Sequence, residues 1–140
     1  MALGGQRGVS QIFTGEGNMG NSVVGKAIKD FPKQTIVAPV DIRIERLDRI
    51  LSDEVAIPLV KMDAQGFECQ VLDGTSRSAA NHVQTIKFEM ASKWLRQQNC
   101  LDLLPRLRQL NFNITNEKGD MVDTDQFNCG VCDLYARSNI

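Results

Sequence analysis

Apolar and charged residues alternate strictly over residues 40–45. Val40, Ile42 and Ile44 fall on one side, and Asp41, Arg43 and Glu45 on the other. A period of two predicts a half-buried strand. The period then changes, placing Leu47, Ile50 and Leu51 on one face of a short helix. Ile57-Pro58-Leu59-Val60-Lys61-Met62-Asp63 is an apolar run that closes on a carboxylate and predicts a strand. Ala64-Gln65-Gly66 turns the chain, and residues 67–73 predict a helix with Gly74 as its stop. Residues 83–89 predict a second strand that also ends on a carboxylate, Glu89. Leu101, Leu104, Leu107 and Leu110 recur at helical spacing. Pro105 fits that helix if it begins near Leu101 or Asp102, because the first amides of a helix have no helical partner. Residues 112–115 predict a third strand, 116–120 a turn and 128–136 a final strand.

Ahead of these elements lies a glycine-rich, polar stretch, residues 1–35, in which residues 9–13 predict a strand within a hairpin or ordered loop. Two units are therefore expected: residues 1–35 as a glycine-rich hairpin and loop segment, and residues 36–140 as the main domain. The order strand–helix–strand–helix–strand–turn–strand predicts an α/β sheet, parallel at first and ending in an antiparallel pair.

Composition narrows the function classes. A net charge of −1 leaves no basic footprint for nucleic acid. No apolar run reaches the roughly 18 residues of a membrane span, and the first residues have no signal-peptide core. A soluble, cytoplasmic protein is expected. Under that reading Cys69, Cys100, Cys129 and Cys132 are expected to be free thiols. Cys129-Gly130-Val131-Cys132 has the redox C-x-x-C spacing, but in a strand its side chains would diverge, so two packed cysteines are expected. The only histidine, His82, has no ligand partner nearby, and no metal site is expected.

Two short glycine patterns overlap. Gly15-Glu16-Gly17-Asn18-Met19-Gly20 is a G-x-G-x-x-G, and Gly20-Asn21-Ser22-Val23-Val24-Gly25-Lys26 is a G-x-x-x-x-G-K. Either pattern can cradle phosphates at a helix start. The first is not followed by a helix pattern and an acidic strand end. The second has Ala27 where a hydroxyl would hold magnesium. A glycine loop that turns the chain is the preferred reading, with a P-loop-like nucleotide binder through 20–26 as a less favoured alternative. Asp63 and Glu89 are weightier, since ligands of parallel sheets sit outside the carboxyl ends of the strands. Against that stands a bland reading in which Asp63 caps a helix and Glu89 is solvated.

Residues 59–74 resemble the FkbM family of S-adenosyl-L-methionine-dependent methyltransferases. The family pattern, roughly K-x-D-x-E-G-x-E with an apolar helix and L-x-G, is met by Lys61, Asp63, Gly66, Glu68, Leu72 and Gly74. Gln65 stands where the family has Glu. Leu47-Asp48-Arg49-Ile50-Leu51 upstream and Phe88-Glu89 downstream match flanking elements, and residues 2–25 resemble the family's third-strand region. The resemblance implies the C-terminal part of a partial Rossmann-like class I methyltransferase fold, mainly parallel with a C-terminal antiparallel strand. It implies O-methyl transfer to a small-molecule or sugar hydroxyl, with S-adenosyl-L-methionine as cofactor. Asp63 and Glu89 are then the catalytic candidates. Asp63, Gln65 and Gly66 are the cofactor-side residues, and Lys61 and Glu68 the substrate-side ones. The family's cofactor-gripping D-x-G-x-N-x-G loop is not among these residues. A truncated chain, completed by an N-terminal segment or a second copy, is therefore expected, and a non-catalytic interaction module is the alternative.

Overall fold

The computed structural model describes residues 1–25, 36–51, 55–75 and 80–139. The glycine-rich start is sheet-forming: β1 (Ala2–Leu3), β2 (Gly8–Gly15) and β3 (Asn18–Val24). The alternating segment is β4 (Ile36–Glu45), a longer strand than its pattern predicts. Together they form one sheet in the order β1-β4-β2-β3, parallel only between β1 and β4. Pro39 hides the start of β4 from sequence reading, since proline lacks a ladder donor. The register against β2 slips just there, between Ile12↔Val40 and Thr14↔Val37, which makes room for it.

The helix α1 (Leu47–Ile50) leads to the second sheet. Its elements are β5 (Ile57–Met62), α2 (Glu68–Asp73), β6 (Val83–Ala91), α3 (Ser92–Gln97), α4 (Leu103–Gln109), β7 (Phe112–Thr115) and β8 (Val131–Ser138). The strand order is β5-β6-β8-β7. β5 and β6 run parallel, and β8 runs antiparallel to both of its neighbours.

This arrangement corrects the expected partial Rossmann-like, mainly parallel α/β fold. Strand takes 42% of the chain and helix 22%, in two mixed sheets with half-barrel curvature. Each sheet holds a single parallel pair. A two-residue period records which face is buried but not the direction of the neighbouring strand. The pattern therefore carries no sign that β4 turns back onto the hairpin or that β8 inserts between β6 and β7.

The core lies between the second sheet and its helices. Phe88, Ile114 and Leu134 from the strands meet Leu72, Leu103 and Leu107 from α2 and α4, all buried. Leu101 stays outside at 73% exposure, because α4 begins at Leu103 and the leucine spacing is helical only from there. Pro105 is then the third helical residue, where its missing N–H costs no bond.

A tight seam joins the two sheets. The Gly4 amide extends the β1–β4 pairing by donating to the Glu45 carbonyl, and across the seam the Asp48 amide donates to the carbonyl of Gly74. The Arg46 guanidinium bonds both carboxylate oxygens of Asp48 and the carbonyls of Gly5 and Asp73. A Cβ at Gly74 would lie 2.2 Å from the Gly4 carbonyl oxygen, so the residue is needed for close approach. Its φ of −87° shows that the expected helix-stop conformation is not the reason.

The cysteines correct a second expectation. Cys69 bridges Cys100 and Cys129 bridges Cys132, with Cα separations of 5.6 and 6.2 Å, within the usual range. Among the described residues no cysteine is free. β8 begins at Val131 rather than at 128, so Cys129 lies ahead of the strand, before the bend at Gly130, and the argument from diverging strand side chains does not apply.

Candidate carboxylate cleft

Strand register builds the site. In β5 and β6 the buried Met62 and Phe88 are register partners facing the core. Their neighbours Lys61, Asp63, Lys87 and Glu89 must therefore project from the opposite face. Asp63 follows the last residue of β5, and Glu89 follows Phe88, so the two carboxylates stand side by side at the same end of the parallel pair. Across the antiparallel ladder Glu89 is paired with Asp133. Lys61, Asp63, Lys87, Glu89 and Asp133 line one cleft of about 170 Å³.

The charges in this cleft are largely matched. Lys61 Nζ lies 3.4 Å from Asp63 Oδ2, and Lys87 Nζ lies 3.0 Å from Asp133 Oδ2. The hydrogen bond that Lys87 donates to Asp133, and then the charge of that carboxylate, hold the Lys87 ammonium above the ordinary lysine range. Lys87 also sits 5.8 Å from the Tyr135 ring centroid, a weak cation–π contact. Among the described residues Glu89 forms no ion pair, which makes it the carboxylate in the cleft without a cation of its own. Glu89 and Asp133 also line a larger groove of about 540 Å³, whose other walls include Asn116, Lys118, Asp120 and Phe127.

The turn behind Asp63 is internally bonded. Gln65 Nε2 donates to Asp63 Oδ1 at 2.7 Å. Gln65 has φ 53° and Gly66 φ 93°. A Cβ on Gly66 would lie 2.7 Å from the Trp94 carbonyl oxygen, so the glycine is required by packing against α3. Glu68 is 2% exposed, and its Oε1 accepts from the Ala64 amide at 3.0 Å. Burial pushes its carboxyl above the ordinary value, against the opposing hydrogen bonds from turn amides. Gln65 Oε1 and Glu68 Oε2 are buried without a partner among the described residues.

The structure thus brings Lys61, Asp63 and Glu89 to one cleft. It places Gln65 behind Asp63, and Gly66 and Glu68 inside the turn, away from the cleft lining. Sequence reasoning missed Lys87 and Asp133. Lys87 was within reach, two residues before Glu89 and so on the same face. Asp133 enters only through the β6–β8 pairing, for which the sequence holds no local signal.

The other motifs resolve differently. Residues 15–20 form the β2–β3 hairpin, turning at Gly17 with φ 76° and leading into a strand rather than a helix. Lys26 and Ala27, on which the G-x-x-x-x-G-K reading depends, lie outside the described residues. The His82 carbonyl accepts from the Ile57 amide at 2.7 Å, an ordinary backbone role. Among the described residues no group of three or more His, Cys, Asp or Glu side chains is placed to hold a metal. No described helix is long and apolar enough to cross a membrane. No known family model, curated protein or solved structure matches the chain.

Proposed function

We propose that this chain serves S-adenosyl-L-methionine-dependent methyl transfer to a hydroxyl of a small molecule or sugar, in the cytoplasm. The observation that carries this reading is the side-by-side placement of Asp63 and Glu89 in one cleft, with no cation paired to Glu89. When bound, the cofactor supplies an electrophilic methyl group. Glu89 takes the proton of the acceptor hydroxyl, a role worth about 10²–10⁴-fold in rate. Asp63, fixed by Gln65 and Lys61, orients the acceptor by accepting a hydrogen bond. The adjoining groove, which shares Glu89 and Asp133, holds the rest of the acceptor.

The residues fit the cofactor in part. Asp63 lines the cleft and would accept from a hydroxyl or ammonium donor of the cofactor, while the unpartnered oxygens of Gln65 and Glu68 are buried behind it and reach no ligand. Gly66 gives no close approach to a ligand, since Trp94 occupies that space. The cleft is smaller than the roughly 300–1,000 Å³ of pockets for drug-sized ligands, so it admits the reacting end only.

Calorimetry with S-adenosyl-L-methionine, and transfer of its labelled methyl to a panel of polyhydroxylated acceptors, test the proposal. Glu89→Gln is expected to lower transfer about 10²–10⁴-fold while leaving cofactor heat intact. Absence of both heat and transfer overturns the reading. That outcome favours the non-catalytic interaction module, to which the mutually paired Lys61–Asp63 and Lys87–Asp133 lend support as a self-satisfied surface.

A further inference from the structure

The two disulfides sit in opposite settings. Cys69, on α2, and Cys100, between α3 and α4, are 4% and 0% exposed in the core. Cys129 and Cys132 are only half-buried, and each opens onto a surface hollow. Cys129 lines a hollow of about 430 Å³ with Ser92, Lys93, Arg96 and Asn128. Cys132 lines the larger groove that contains Glu89 and Asp133.

We propose that Cys129-Gly130-Val131-Cys132 is a thiol–disulfide exchange site for an anionic low-molecular-weight thiol of the glutathione class. Three observations carry it, none of which depends on the methyl-transfer reading. Access is the first, because exposed disulfides exchange and buried ones resist. The second is charge: Arg96 flanks the Cys129 side, where it favours an approaching thiolate that also bears carboxylates. Third, the reduced form has a partner waiting. Cys129 Sγ lies 3.7 Å from the Met90 carbonyl oxygen, to which a thiol can donate and a disulfide sulfur cannot.

In the exchange, the incoming thiolate attacks Cys129 Sγ and the bond to Cys132 breaks. Cys132 leaves as a thiolate and takes a proton from water. A second thiolate attacks the glutathione sulfur of the mixed disulfide and releases Cys129, which is protonated in turn. Two thiols thus become one disulfide, and the protein gains two electrons and two protons. The site is coupled to its surroundings. Ser92 Oγ donates to the Cys129 carbonyl, and the Ser92 amide donates to that of Gly130 at 3.1 Å. Cys132 is paired with Met90 in the ladder, next to Glu89↔Asp133. Opening the bridge frees the bend that forms one rim of the carboxylate groove.

The test uses the full chain, treated with millimolar reduced glutathione, alkylated with N-ethylmaleimide and mapped by peptide mass spectrometry. Labelling of Cys129 and Cys132 is expected to exceed that of Cys69 and Cys100 by roughly tenfold or more. Cys132→Ser, incubated instead with oxidised glutathione, is expected to hold glutathione on Cys129 as a mixed disulfide, one glutathione thiolate being released. Arg96→Glu is expected to slow reduction by glutathione but not by neutral 2-mercaptoethanol. Equal labelling of both pairs, no labelling before denaturant, or equal slowing with both thiols overturns the proposal.

Discussion

Replacing Gly66 by alanine separates a packing role from a ligand role at the centre of the 61–68 motif. The new Cβ would lie 2.7 Å from the Trp94 carbonyl oxygen, 2.9 Å from its carbon and 3.0 Å from Gln98 Cγ. That carbonyl already accepts the Gln98 amide at 3.1 Å, so it cannot retreat without disturbing the end of α3. Two costs add. An L-residue in the left-handed region loses about 1–2 kcal/mol, and forcing atoms into a filled space costs about 1–3 kcal/mol more. The sum is about 2–5 kcal/mol. At a urea dependence of about 2 kcal/mol per molar, the unfolding midpoint should fall by roughly 1–2.5 M. Gly119 supplies the control. Its φ of 89° is nearly that of Gly66, at 93°, but nothing lies within 4 Å of its would-be Cβ. Gly119→Ala should therefore show only the conformational part, about 1–2 kcal/mol. Equal midpoint shifts for the two variants, measured by circular dichroism in urea, would refute the packing argument.

Three further outcomes follow from the same structure. Removing Cys69–Cys100 by paired serine substitutions opens a loop of sequence separation 31 and should cost about 4 kcal/mol on the chain-entropy scale. For Cys129–Cys132, of separation 3, the same scale gives about 2 kcal/mol, and denaturant midpoints read the difference. Glu68 has a carboxyl pKa raised above its ordinary value of 4.5 by burial. A raised folded-state pKa means that the stability it contributes is full below the unfolded value and lost as pH rises through the folded one. Stability should therefore decline as pH climbs from 4.5 through the raised value. Glu68→Gln should flatten that slope in melting temperatures taken across pH.

Much of the second sheet was legible. The apolar run that became β5, residues 83–89 within β6 and residues 112–115 as β7 were read at or close to their observed bounds. Each is a short apolar segment set off by turn residues. The common cleft of Asp63 and Glu89 was legible too, because β5 and β6 are joined through α2, the connection that parallel neighbours require. What failed was anything set by distant pairing. Asp133 reaches Glu89 across the β6–β8 ladder, Cys69 reaches Cys100 over two helices, and Gly74 is needed for a contact with Gly4 some seventy positions away. Gly66 was read as a ligand position for the same reason, since the Trp94 carbonyl that demands it is nowhere near in the chain.

The seam has a practical consequence for handling the protein. Ala2 and Leu3 pair with Ile44 and Glu45, whereas Met1 is 69% exposed. An affinity tag fused ahead of Met1 can point into solvent. Removing Ala2 and Leu3 would abolish β1 and leave Gly4, whose carbonyl packs on Gly74, without the strand that holds it. Expression work should therefore keep Ala2 and Leu3.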